Sequence, residues 1–288
     1  MILQSLLRII IIMAQKTQVS IIMAAYNAEK YIKEAIDSVI NQEYQHWELI
    51  IINDGSTDGT ENIIRSYDDD RIRYHSQTNA GVSNARNIGL RHMEGDYFCF
   101  LDADDVYTSY SLSSRMALFD KDPTLDFVDG HVQYTDVNLQ PLKKKYIPNF
   151  KGNPKRELLL LKDSCHLGQT WLIRRKKNVV YQFESDMKYS EDVYFYLNIC
   201  NQIESNYSYI NETILNYRRS HASAMQNLKG LANGYALFIH KVKHNINCTG
   251  IEYWRMKLKI IKVMFLTYLF DGKKPFAALS TIPKYLFA

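Results

Sequence analysis

The sequence predicts an α/β fold, a mostly parallel sheet flanked by helices, followed by a helical C-terminal extension. Three observations carry this expectation. The first hundred residues alternate short apolar runs with amphipathic segments, polar turn-forming motifs follow three of the four apolar runs, and the alternation fades beyond Asp105.

Residues 19–24 form an apolar run of strand length, as a strand buried on both faces requires. Asn27 is placed to cap a helix whose Ile32, Ile36, Val39 and Ile40 recur at helical spacing. Residues 47–53 (WELIIIN) read as the second strand, running into the turn-rich DGSTDG. Asp58 and Glu61 have the spacing of a capping box, ahead of a helix bearing Ile63 and Ile64. A short strand over 72–76, a helix over 83–91 and a strand over 96–102 (DYFCFLD) complete a β-α-β-α-β-α-β succession. Right-handed crossovers then make the sheet parallel, and ligands of such sheets bind beyond the carboxyl ends of the strands. Tyr26-Asn27, Asp54 and residues 102–105 would therefore meet on one rim. Further on, the pattern predicts a helix over 111–119, a strand or hairpin in DFVDGHVQYTDV, and a loop over 140–154. Helices are expected around 156–161, over 192–200 and from about Leu231 onward.

Composition narrows the function. With 46% hydrophobic and 23% charged residues the chain is an ordinary globular one. A net charge of +4 lacks the clustered excess of a nucleic-acid binder, so no nucleic-acid partner is expected. The basic excess concentrates late: between Arg255 and Ala288 seven Lys/Arg face a single acid, Asp271. That asymmetry suits peripheral contact of the C-terminal region with an anionic membrane, because its apolar core IIKVMFLTYLF is too short and too basic to span one. A small helical subdomain covering the sheet is the alternative. Four scattered cysteines without a CxxC pair suit reduced thiols and a cytoplasmic location, peripheral on the inner face of the cell membrane. The opening MILQSLLRIIIIM is also too short to span and is broken by Arg8, which makes Met13 the expected translation start and a surface anchor the alternative.

Several motifs can carry chemistry. In DADD, residues 102–105, two carboxylates one residue apart at a strand end repel one another unless a hard cation joins them; a solvated acidic turn is the alternative. NDGSTDGT, residues 53–60, fails as a calcium loop because Arg65 occupies the position where a bidentate Glu is required. Neither a GxGxxG nor a Walker sequence occurs, which argues against dinucleotide and P-loop chemistry. Asp54 can instead accept a base N–H, with its glycines permitting close approach; a tight strand-helix turn needs the same residues. Arg86, in NAGVSNARNIG, can face phosphate or the DADD carboxylates, or simply solvent. In SEDVYFYL, Ser190 is placed to cap a helix that starts with Glu191 and Asp192, where acids also suit the helix dipole. His221 follows Arg218 and Arg219.

Taken in order, Ala-Tyr-Asn, NDGSTDGT, NAGxxxARNxG, DADD, a Glu-Asp helix start and a late His resemble glycosyltransferase family 2, over roughly residues 17–225. The resemblance implies a Rossmann-like GT-A domain with a nucleotide-binding half (17–105) and an acceptor half (106–225). An N-terminal extension (1–16) would precede it, and a basic, apolar helical region (226–288) would follow. It implies an inverting transfer from a nucleotide-sugar donor, UDP-sugar by preference, to a glycan or polyprenyl-linked acceptor, with Mn²⁺ or Mg²⁺ as cofactor. Carried over by position, Ala24, Tyr26, Asn27, Asp54, Arg86 and Asp102 would bind nucleotide, and Asp104, Asp102 and His221 the metal. Asp192 would be the general base, with Glu191 positioning the acceptor. Ala24 and Ala25 depart from the hydroxyl-bearing residues of many relatives. A sugar-phosphate nucleotidyltransferase is disfavoured by the missing Gly-rich triphosphate loop. A catalytically dead scaffold is disfavoured by the presence of both acidic motifs.

Overall fold

The computed structural model describes residues 18–219, 227–271, 279 and 284–285. Its first part runs β1 (Val19–Ala25), α1 (Ile32–Ile40), β2 (Trp47–Asn53), α2 (Thr60–Arg65), β3 (Ile72–Ser76), α3 (Val82–His92) and β4 (Tyr97–Phe100). Then follow β5 (Val106–Tyr107), α4 (Ser111–Lys121), β6 (Phe127–Thr135), β7 (Pro141–Tyr146), α5 (Lys155–Leu159) and β8 (Leu172–Arg174). The remainder is α6 (Glu191–Gln202), β9 (Tyr207–Arg218), α7 (Leu228–Asn245) and α8 (Gly250–Leu266), which widens into a π-helical turn at Thr267–Asp271.

One sheet joins these strands in the order β3-β2-β1-β4-β8-β6-β9-β5, with β7 paired to β6. The first four strands are parallel. β8 then runs antiparallel to both β4 and β6, while β9 lies parallel to β6. The result is a mixed α/β sheet that is parallel in its first half. Strand periodicity explains the two cores. Ile22, Ile50 and Ile52 join one, with Phe98 and Phe100, against α3, α6, α7 and α8; Ile21, Met23, Leu49 and Ile51 join the other, against α1, α2 and α4. Gly89 lets α3 lie on β1, since a Cβ there would overlap the Ile22 side chain.

Several expectations are corrected. Asn27 does not cap α1: it takes a left-handed conformation (φ 49°), and Tyr31 precedes the helix without a side-chain cap. The capping box of α2 does not form, because Glu61 pairs with Arg65 while Asp58 accepts the Thr60 N–H. Ser190 precedes α6 in the left-handed region (φ 61°) and its hydroxyl makes no cap. The fourth strand ends at Phe100, so the whole DADD motif lies beyond it in a loop. Part of the expected 140–154 loop is β7, an exposed lysine-rich strand whose charges disguise it and protect the sheet there from further pairing. The proposed 1–16 extension lies outside the described residues, as does much of the chain after Asp271.

Candidate active site

Two groups of residues collect at the carboxyl ends of the strands. The first is built by the loops after β1 and β2. Asn27, in its left-handed turn, accepts the Thr57 N–H on Oδ1 at 2.8 Å, and its own N–H donates to Ser56 Oγ at 3.0 Å. Ala28 N–H donates to Thr60 Oγ1, Glu29 N–H to Asp58 Oδ2, and Gly59 N–H returns to Glu29 Oε2. These bonds stitch one strand-end loop to the other. Tyr26 beside them is 53% exposed, an open ring at the rim, while Ala24 is half-buried below it.

Asp54 lies at the bottom of this group, 4% exposed. Its Oδ1 accepts from Gln77 Nε2 at 2.6 Å and Ala80 N at 2.8 Å, and its Oδ2 from Gly81 N at 2.9 Å. A carboxylate offers about four lone-pair positions, so three bonds leave one free for a donor from outside the chain. Gly55 (φ 74°) permits the arrangement, because a Cβ there would stand 2.8 Å from the Asn79 nitrogen.

The second group is charged. Arg86, 5% exposed on α3, donates from Nη2 to Asp102 Oδ1 at 2.8 Å and reaches Glu191 Oε1 from Nη1 at 3.5 Å. Its guanidinium lies 5.4 Å from the Phe183 ring centroid. Thus one buried cation touches both the DADD motif and, 105 residues along the chain from itself, the Glu-Asp motif. Beyond Asp102, burial and the Asp102 charge push Asp104 up to about 6. Asp105 is pushed well up by burial and by both neighbours, although it accepts the Arg218 N–H at 2.8 Å. Arg218, buried at the end of β9, clamps the motif from behind through the Asp104 and Val137 carbonyls and Glu34, with its guanidinium 4.3 Å from the Tyr31 ring centroid.

At the start of α6, burial and Asp192 raise Glu191 to about 7 against the opposing pull of Arg86. Asp192 Oδ1 accepts the Val193 N–H at 2.8 Å, and its Oδ2 faces His166 Nε2 at 3.8 Å. Nothing in the sequence around His166 singles it out; contact with Asp192 is formed only by the fold. His221 lies outside the described residues.

A divalent cation fits this chemistry. Asp102, Asp104, Asp105, Glu191 and Asp192 crowd one edge, and the cations in contact with them are Arg86 and Arg218. Among the described residues no three His, Cys, Asp or Glu side chains enclose a metal unaided. That matches the habit of Mg²⁺-like ions, which take one or two carboxylates and complete their shell with phosphate oxygens and water.

Comparison with known proteins places this geometry. Residues 20–180, more than half of the chain, match the family model described as glycosyl transferase family 2. An uncharacterized glycosyltransferase of Haemophilus influenzae is 30% identical over 259 residues, covering 88% of this chain and 96% of that protein. The Escherichia coli UDP-Glc:alpha-D-GlcNAc-diphosphoundecaprenol beta-1,3-glucosyltransferase WfgD is 31% identical over 212 residues, covering 73% and 80%. Shorter, closer matches, 40–43% identical over 90–107 residues, are to glycosyltransferases of which this chain spans 13–41%. In fold, the chain resembles S. aureus TarS 1–349 in complex with UDP-GlcNAc (TM-score 0.66, 18% identity, 93% of this chain and 78% of that one). It also resembles the mannosyltransferase PcManGT of Pyrobaculum calidifontis in complex with GDP-Man and Mn²⁺ (TM-score 0.59, 16% identity, 95% and 81%). The sheet, the rim motifs and these likenesses agree: the chain belongs to glycosyltransferase family 2.

Proposed function

We propose that the chain moves a sugar from UDP-sugar to a hydroxyl of a glycan or polyprenyl-linked acceptor, inverting the anomeric centre in one displacement. The observation that carries this reading is the Arg86 bridge, which ties the carboxylate assigned to the ribose and metal region, Asp102, to the candidate base pair Glu191-Asp192. On this reading the last acceptor position of Asp54 takes a uracil N–H, and the open Tyr26 ring stacks on the base with Asn27 and Ala24 lining its edge. Asp104 and Asp102 would hold Mn²⁺ or Mg²⁺, which when bound neutralises charge on the leaving diphosphate. Asp192 takes the acceptor hydroxyl proton as that oxygen attacks, while Glu191 orients the acceptor. A polyprenyl-linked acceptor draws support from the name of the E. coli relative, and PcManGT supports the metal.

The test is calorimetric titration with UDP, GDP, dTDP and CMP, each with and without Mn²⁺. Metal-dependent binding of UDP alone is the expected result. Preference for another nucleotide would replace the donor, and a folded protein that binds none would overturn the transferase reading.

The reading extends to a membrane surface on the cytoplasmic side. No helix among the described residues is long and apolar enough to cross a membrane. α8 and its π-turn, however, expose Ile251, Trp254, Leu258, Leu266 and Phe270 alongside Arg255, Lys259 and Lys262, with no acid between Tyr253 and Phe270. Large apolar groups interleaved with cations suit an interfacial helix on anionic lipid. Flotation with anionic but not neutral vesicles, lost in Trp254→Glu/Leu258→Glu, is expected; equal flotation of that variant would refute it.

A further inference from the structure

His166 borders Asp192 at this site, and the reaction as drawn leaves it unused. It lies in the segment between α5 and β8, its ring edge-on to Trp171 and Tyr196 at centroid separations of 6.4 and 5.5 Å. Its side chain is 10% exposed, and its Nε2 is shut off from solvent without a hydrogen-bond partner. An orphaned buried nitrogen costs free energy, so it normally marks either a bond made in another state or a missing partner. The nearest opposite charge is Asp192 Oδ2 at 3.8 Å. Because Oδ1 already accepts the Val193 N–H, Oδ2 is the oxygen without a hydrogen-bond donor among the described residues. Hydrogen bonds around a catalytic group are often long before substrate binds and tighten in the loaded enzyme. Closing 3.8 Å to about 3 Å requires a movement of less than one ångström.

We propose that His166 is the positioning residue of the reaction, a neutral imidazole whose Nε2–H donates to Asp192 Oδ2 in the loaded enzyme and fixes the base carboxylate toward the acceptor. The inference rests on the reading of Asp192 as the base. Burial keeps the ring neutral, opposed by the nearby Asp192 charge. A neutral donor orients the carboxylate, whereas an imidazolium there would hold it in an ion pair. The other groups that act on Asp192 are Glu191 on the same helix, Arg86 from α3, Tyr196 from α6 and Tyr235 from α7. Of the described Lys, Arg and His side chains, His166 is the one within 4 Å of Asp192 Oδ2.

Two measurements on the full chain test this. In the first, sugar transfer from UDP-glucose to a short-chain lipid diphosphate bearing N-acetylglucosamine is followed for wild type, His166→Phe and His166→Asn. Phe keeps the ring packing but loses the donor, and its kcat is expected to fall about 100-fold, with KM and UDP affinity held within about twofold. The acid limb of its pH profile should move to higher pH, because the Asp192 carboxylate has lost a donor. Asn, which keeps a neutral N–H, should restore most of the rate. A His166→Phe enzyme with wild-type kcat and pH profile overturns the proposal. The second needs no acceptor: nitrogen NMR of the UDP-bound protein should show His166 as the Nε2–H tautomer, with its resonance displaced in Asp192→Asn. A Nδ1–H tautomer indifferent to Asp192→Asn overturns the proposal. A wild-type protein that binds no nucleotide and transfers no sugar refutes the enzyme reading itself, a result separate from either.

Discussion

The two halves of the rim are built on opposite physical plans. Around Asp54 and Asn27, short bonds from backbone N–H groups satisfy the side chains, and every partner comes from the loops after β1, β2 and β3. Around Arg86 and Asp192, the contacts join α3, the DADD loop, the segment before β8 and the start of α6, and they run between ionisable side chains. The first plan is held in place by the chain's own donors, with one acceptor position of Asp54 left over, so it is preorganised. The second is left with raised carboxylates at Asp104 and Glu191, an orphaned imidazole and a left-handed Ser190. Strain and uncompensated charge of this kind gather where chemistry occurs. One half is made to hold; the other is made to react.

Substitutions sharpen the contrast. The largest effect is expected from Asp192→Asn, which should lower kcat by about a thousandfold while UDP affinity in calorimetry stays unchanged; retained activity would remove Asp192 from its role. Asp54→Ala strikes the other plan. It strips three donors of their acceptor, so about 3 kcal/mol of stability should be lost in urea unfolding, with weakened UDP binding as the companion effect. Unchanged stability would mean that the loop is held by something else. A smaller effect follows from Asp129 on β6, which burial pushes up to about 6 although it accepts the Tyr207 hydroxyl at 3.1 Å. With its folded value raised, its contribution is intact below about 4 and is lost as pH rises through about 6. Asp129→Asn should therefore stabilise the protein by about 3 kcal/mol at pH 8, and the gain should vanish toward pH 4. A pH-independent difference would contradict this account.

The same contrast decides what could be read from the sequence. Strands β1 to β3 and helices α1 and α3 follow from local periodicity, and the rim they form follows from parallel topology. Asp54, Arg86, Asp102 and Glu191 stand out because each sits in a motif, and the structure brings the last three together at one guanidinium. His166 could not be found in this way, since its meaning depends on a contact across 26 residues that no spacing rule encodes. β8 escaped because it has only three residues, and β7 because its lysines mimic a loop. Caps failed for a different reason. Asn27, Asp58 and Ser190 are all residues suited to capping, but tertiary partners claimed Asn27 and Asp58, and the positive φ of Ser190 came without a cap.

The switch of strand direction at β4 also has a consequence for how the chain is made. β1 to β4 complete their pairing within the first hundred residues, and they leave the ribosome before anything that covers the far side of β4. That side waits for β8, and the β6–β9 pairing must bring Phe127 to Tyr207. Until then the nascent chain carries an open edge at Tyr97–Phe100, a wholly apolar tetrapeptide whose unpaired backbone can recruit a foreign strand. Synthesis of the second half is thus a race between its own β8 and any other chain, and a chaperone that shields the β4 edge during that interval would raise the yield of folded protein.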